Sequence, residues 1–87
     1  MAALLFNNHN NSVDFNYFNK MQSGVMDMFN KFEELFIRFK GSFTVTIDTG
    51  NSTIKYTPEP GEVLNTSYLE SLLLFLNKKL MQIANTL

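Results

Sequence analysis

Phe18, Met21, Val25, Met28, Phe32, Leu35 and Phe39 follow one another at intervals of 3, 4, 3, 4, 3 and 4 residues. A helix brings such a series to one side of the backbone, whereas a strand scatters it over both faces. The spacing predicts a helix over residues 13–40, with Ser12 or Asp14 as its N-cap and Gly41 as a left-handed residue just past its end. Polar residues Asn16, Lys20, Ser23, Asp27, Asn30, Lys31, Glu34 and Arg38 occupy the opposite side at compatible intervals. Gly24 is the weak point of this helix, where it marks a kink or a close helix crossing.

Beyond Gly41 the period changes to two. Phe43, Val45 and Ile47 alternate with Thr44, Thr46 and Asp48, and Ile54 and Tyr56 alternate with Thr53, Lys55 and Thr57. With Gly50 and Asn51 between the two runs, this is the signature of a β-hairpin, and Pro58 and Pro60 end it because neither has an amide to donate. A second helix runs from a capping box at Ser67 and Glu70 to about residue 85. Its stripe is Leu69, Leu72, Leu73, Leu76, Leu80, Ile83 and Leu87, and Leu74, Phe75 and Met81 widen it enough to imply burial on more than one side.

The expected fold is therefore α+β: a helix, a hairpin and a helix (αββα) in one domain over 13–87, preceded by an N-terminal arm over 1–12. The Asn-rich part of that arm cannot bury itself, which makes it flexible unless Leu4, Leu5 and Phe6 dock on a neighbouring surface. A first helix of about 40 Å outreaches strands of about 17 Å, so hairpin and second helix leave part of its apolar surface uncovered. Phe15, Phe29 and Phe36 add to that excess. The seam Phe18, Met21, Val25, Met28, Phe32, Leu35 and Phe39 is thus assigned to an interface, with a second copy of the chain as its partner in a homodimer.

Charge and composition remove several classes of function. Seven basic and eight acidic residues leave a net charge of −1, too little field to favour a nucleic-acid backbone or an anionic membrane. The chain has no cysteine, and its apolar start, Met1–Phe6, is too short for a secretory signal, so a cytoplasmic location is expected. No apolar run approaches the roughly 18 residues of a membrane span. Nine phenylalanines and eleven asparagines fit an A/T-rich coding genome, such as that of a phage or mobile element.

The residues that carry chemistry are sparse. Ile47-Asp48-Thr49-Gly50 resembles the active-site loop of retroviral-type aspartic proteases, in which each of two chains donates an aspartate. The resemblance covers four residues, and long helices flank them where those proteases are almost entirely β, so Asp-Thr-Gly is read as turn chemistry. The stretch Asp48–Thr53 lacks the Gly-Lys-Ser/Thr signature of a phosphate loop. His9 is the single histidine, without a companion at metal-ligand spacing. Glu33 and Glu34 diverge around a helix, and Glu59 and Glu62 lie in a linker as solvated charge.

No cofactor, metal or catalytic residue is therefore assigned. The expectation is a small non-enzymatic protein-binding module, of the kind a phage inhibitor or adaptor uses to occlude a larger host protein. Met21, Met26 and Met28 suit an adaptable surface, although core filling accounts for them better. The alternatives are an assembly subunit that forms higher oligomers and a weak nucleic-acid binder using Lys55 and Tyr56 of the hairpin.

Overall fold

The computed structural model describes residues 2–8 and 14–87; Ser12 and His9 lie outside these. The element order is β1 (Ala3–Asn8), α1 (Phe15–Lys31), a 3₁₀ turn (Glu33–Leu35), β2 (Ser42–Ile47), β3 (Thr53–Thr57) and α2 (Thr66–Asn85). It is an α+β fold with two helices, and its sheet has three strands in the order β1-β2-β3. The sheet thus exceeds the expected hairpin by one strand. Ala3–Asn8, placed above in a flexible arm, pairs in parallel with β2 in the register Leu4↔Phe43 and Phe6↔Val45.

The hairpin has the predicted faces. β2 and β3 pair antiparallel, with Phe43 opposite Tyr56 and Val45 opposite Ile54, and Phe43, Val45, Ile47 and Ile54 are all buried. Gly50 takes a φ of +77° in the connecting turn, where Asn51 N–H donates to the Asp48 carbonyl at 3.2 Å. A residue with a Cβ resists that φ, so a glycine is the natural occupant.

α1 is shorter than the 13–40 predicted. Asp14 is its N-cap, accepting from Asn16 N–H at 3.0 Å, but the α-helix stops at Lys31. From there the ladder tightens: Leu35, Phe36 and Phe39 N–H donate to the carbonyls three residues back. Residues three apart share a side in a 3₁₀ turn much as residues three and four apart do in an α-helix, so the apolar spacing persists after the helix has ended. The turn aims Phe36 and Phe39 at Phe43, with ring centroids 5.2 and 5.6 Å away.

α2 begins one residue before the proposed capping box, and its cap is Asn65, whose side chain accepts from Tyr68 N–H at 3.1 Å. Leu72, Leu76 and Leu80 are buried, whereas Leu74 and Met81 are exposed. The stripe thus packs on one side only, against the expectation of burial on several. α1 and α2 run antiparallel: Gly24 faces Ile83 and Phe32 meets Phe75 edge-on, centroids 5.4 Å apart. A Cβ on Gly24 would lie 2.7 Å from Ile83 Cγ2, which makes Gly24 a crossing point.

Gly41 serves a different purpose from the helix terminator expected of it, because its φ is not positive. A Cβ here would overlap the Thr57 carbonyl oxygen and stand 2.8 Å from both Pro58 Cα and the Tyr56 hydroxyl. The backbone of β3 comes this close because Gly41 N–H donates to Tyr56 Oη at 2.7 Å while its carbonyl accepts from Ala3 N–H at 3.1 Å. Gly41 therefore joins the three strands at one end of the sheet. Gly41→Ala is expected to lower stability by about 3 kcal/mol, since two of the groups it meets are backbone atoms that cannot yield; a denaturant titration with an unchanged slope measures this.

Candidate functional site

The seam assigned to an interface lies against the chain's own sheet and second helix. Met21, Val25, Met28 and Phe39 are buried, and Phe18, Phe32 and Leu35 are half-buried against the same core. The first helix is shorter than its spacing implied, and β1 widens the sheet beneath it, so the excess surface that called for a second copy is largely covered. Phe29 and Phe36 stack within the fold at 4.4 Å; Phe15 stays exposed. Other apolar positions face outward.

Three of these surround β1. Leu5 is 51 % exposed, Met26 46 % and Ile37 67 %. In the parallel register Ala3, Leu5 and Asn7 direct their N–H and C=O groups to β2, starting with the bond from Ala3 N–H to Gly41. Leu4, Phe6 and Asn8 therefore present theirs on the other side, along a sheet edge with no neighbouring strand among the described residues. Leu4 and Phe6 side chains pack inward, half-buried, and beside them opens an apolar cleft of about 240 Å³ lined by Ala2, Leu4, Met26, Phe29, Phe36 and Ile37 with Phe43. Glu33 is the single charged residue on its walls. The volume is below the roughly 300–1,000 Å³ of pockets that enclose small ligands, and suits a side chain.

The opposite edge is capped at Ile54. Asn77 of α2 accepts from Ile54 N–H at 3.0 Å and donates to the Ile54 carbonyl at 3.4 Å, with a further bond to Leu73 O at 2.8 Å. One side-chain amide thus stands where the next strand's peptide group would be. Protection against edge-to-edge pairing is present at Ile54 of β3, whereas β1 carries no charge, no proline and no bulge, and no described residue covers its edge with a strand.

The titratable groups brought together are Tyr56 and Glu62. Tyr56 Oη donates to the Glu62 carboxylate at 2.8 Å, and Lys40 and Glu59 N–H donate to it at 3.0 Å each. Burial and the Glu62 hydrogen bond hold the Tyr56 pKa up. Burial also pulls the Glu62 carboxyl upward, but the bonds from Lys40, Tyr56 and Glu59 outweigh it and leave its pKa below the ordinary carboxylate value. Glu62, read from sequence as solvated charge, is a tie between the 58–62 loop and the start of β2. Tyr56 and Lys55 occupy opposite faces of β3, with Tyr56 turned to the core side.

The Asp-Thr-Gly stretch is the hairpin turn: Ser52 Oγ donates to Asp48 O at 2.9 Å and accepts from Asp48 N–H at 3.0 Å. Among the described residues no group of three or more His, Cys, Asp and Glu side chains could hold a metal ion, and no helix is long and apolar enough to cross a membrane. Compared with protein-family models, curated proteins and solved structures, the chain gives no match.

Two measurements test these contacts. A carboxyl with a depressed pKa stabilises the fold above its unfolded-state pKa, and that contribution is lost as pH falls through the lower folded-state value. Thermal midpoints followed into acid are therefore expected to fall more steeply in the parent than in Glu62→Gln, which starts lower at neutral pH. Asn77→Ala is expected to cost about 1–2 kcal/mol by leaving the Ile54 peptide groups without their partner, and to speed hydrogen exchange at the Ile54 amide more than at Val45.

Proposed function

We propose that the chain is a small non-enzymatic protein-binding module that works by strand addition along the outer edge of β1. The observation that supports this reading is the contrast between the two sheet edges, one capped at Ile54 by Asn77 and the other without a strand neighbour among the described residues, beside an apolar cleft. Strand addition draws affinity from main-chain hydrogen bonds and specificity from pockets that accept alternate side chains. Leu4, Phe6 and Asn8 supply the first, and the cleft at Ala2, Leu4 and Phe29 supplies the second. Met26 and Ile37 at its rim are of the apolar kind that an incoming segment covers. A module of this design serves an inhibitor or adaptor by covering an exposed strand of a larger protein, and a phage or mobile-element origin fits the composition.

Selection from a library of extended peptides with alternating apolar side chains is the direct test. Selected peptides are expected to perturb the amide resonances of Leu4, Phe6, Phe29 and Ile37. Leu4→Pro removes an outward-pointing amide, and the β1–β2 bonds of Ala3 and Leu5 survive it, so the sheet is expected to persist while peptide binding is lost. Perturbations confined to α2, or turnover of a small molecule by the parent, overturn the reading.

A further inference from the structure

We infer that the strand added to β1 is β1 of a second copy, antiparallel about a two-fold axis that passes through Leu5 perpendicular to the sheet. This rests on the strand-addition reading and names its occupant. The pairing follows from register. Leu4 and Phe6 face inward and point their peptide groups outward to the open edge, whereas Leu5 does the reverse on both counts. An antiparallel neighbour matches these properties only when even-numbered residues lie opposite even-numbered ones, because a one-residue slip turns every side chain to the wrong face.

Of the registers that satisfy this, those centred on Leu4 and on Leu5 put apolar residues together on both faces, and the one centred on Leu5 pairs more of the strand, Ala2 to Asn8 instead of Ala2 to Phe6. Leu4 of each copy lies opposite Phe6 of the other as a hydrogen-bonded pair, and the two Leu5 side chains meet on the outer face as the closer, non-hydrogen-bonded kind. Moving the centre to Phe6 sets Leu4 against Asn8 instead. In the Leu5-centred arrangement each Phe6 ring comes to lie one strand outside Leu4, at the mouth of the cleft of the other copy.

Charge also permits a second copy. β1 carries no charged side chain, so two copies meet without repulsion along the strand. A stable interface takes roughly 800 Å² from each partner, about one-seventh of the 5874 Å² this chain exposes. The contact therefore extends beyond the strand pair to the cleft rims, where Met26 and Ile37 are exposed on the face that also carries α1. The result is a continuous six-stranded sheet with the helices of both copies on one side, a homodimer built on the strand and not on the helical seam.

A charge swap at Leu5 tests the axis itself. The parent is expected to sediment as a dimer, with Leu4 and Phe6 amides becoming protected from exchange as concentration rises. Leu5→Lys and Leu5→Glu each place like charges directly opposite, and each alone is expected to weaken the dimer by about tenfold or more. An equimolar mixture of the two is expected to recover association as a heterodimer, which a foreign-strand site has no reason to do. A dimer indifferent to both substitutions, or a mixture no tighter than its components, overturns the assignment. Should either variant unfold, Leu4→Pro replaces it, and a dimer that persists in that variant overturns the assignment equally. A parent that stays monomeric at millimolar concentration yet binds selected peptides through β1 sinks the second copy and leaves strand addition standing; one that does neither sinks both.

Discussion

Phe43 is where every layer of the molecule meets, and the fold depends on its being held at the centre of the sheet. It sits on the middle strand with no surface exposed, its ring 4.7 Å from Tyr56 beside it and 5.7 Å from Phe29 on α1. The 3₁₀ turn contributes Phe36 and the following segment Phe39, both edge-on to the same ring. Such pairs add about 0.5–1.5 kcal/mol each beyond the area they bury, and they share one partner. The early end of α1 follows from this: an α-helix continued past Lys31 would carry Phe36 and Phe39 along the axis, whereas the tighter turn sets both beside Phe43.

The end of the sheet near Phe43 is also where the chain's polar ties converge. Gly41 touches β1 through its carbonyl and β3 through its amide, and the Tyr56 hydroxyl that receives that amide is itself anchored on Glu62. Backbone closeness at Gly41, an uncharged phenol at Tyr56 and an ionised Glu62 form one connected arrangement. Arg38 over the Tyr68 ring at 4.8 Å and Tyr68 stacked on Phe39 at 6.0 Å extend it to the start of α2.

Local periodicity made most of this fold legible. The hairpin follows from alternation in Phe43–Ile47 and Thr53–Thr57, and α2 from its leucine spacing. β1 could not be found in the same way, because Ala3–Phe6 is apolar on both faces and shows no alternation, and its partner strand lies some forty residues further on. The end of α1 was hidden by a 3₁₀ turn that keeps side chains three apart together. At the candidate site, the seam from Phe18 to Phe39 was recognised as apolar, but spacing alone cannot distinguish a core from an interface. Leu4, Leu5 and Phe6 were visible as a segment able to dock, without direction or register. Asn77 left no signal at all: it lies mid-helix, 23 residues from Ile54, and matters only through the tertiary placement of α2 against β3.

That single asparagine bears on how far such a sheet can grow. A protein with two open edges behaves like a bifunctional monomer, and joining one end leaves the other ready for the next addition, which is the route to a fibre. Here the Ile54 peptide is already occupied by the amide of Asn77, which blocks pairing at that point of β3 and makes the two edges unequal. An apolar edge that is a hazard in a two-ended sheet is a lesser one where the opposite edge is interrupted in this way.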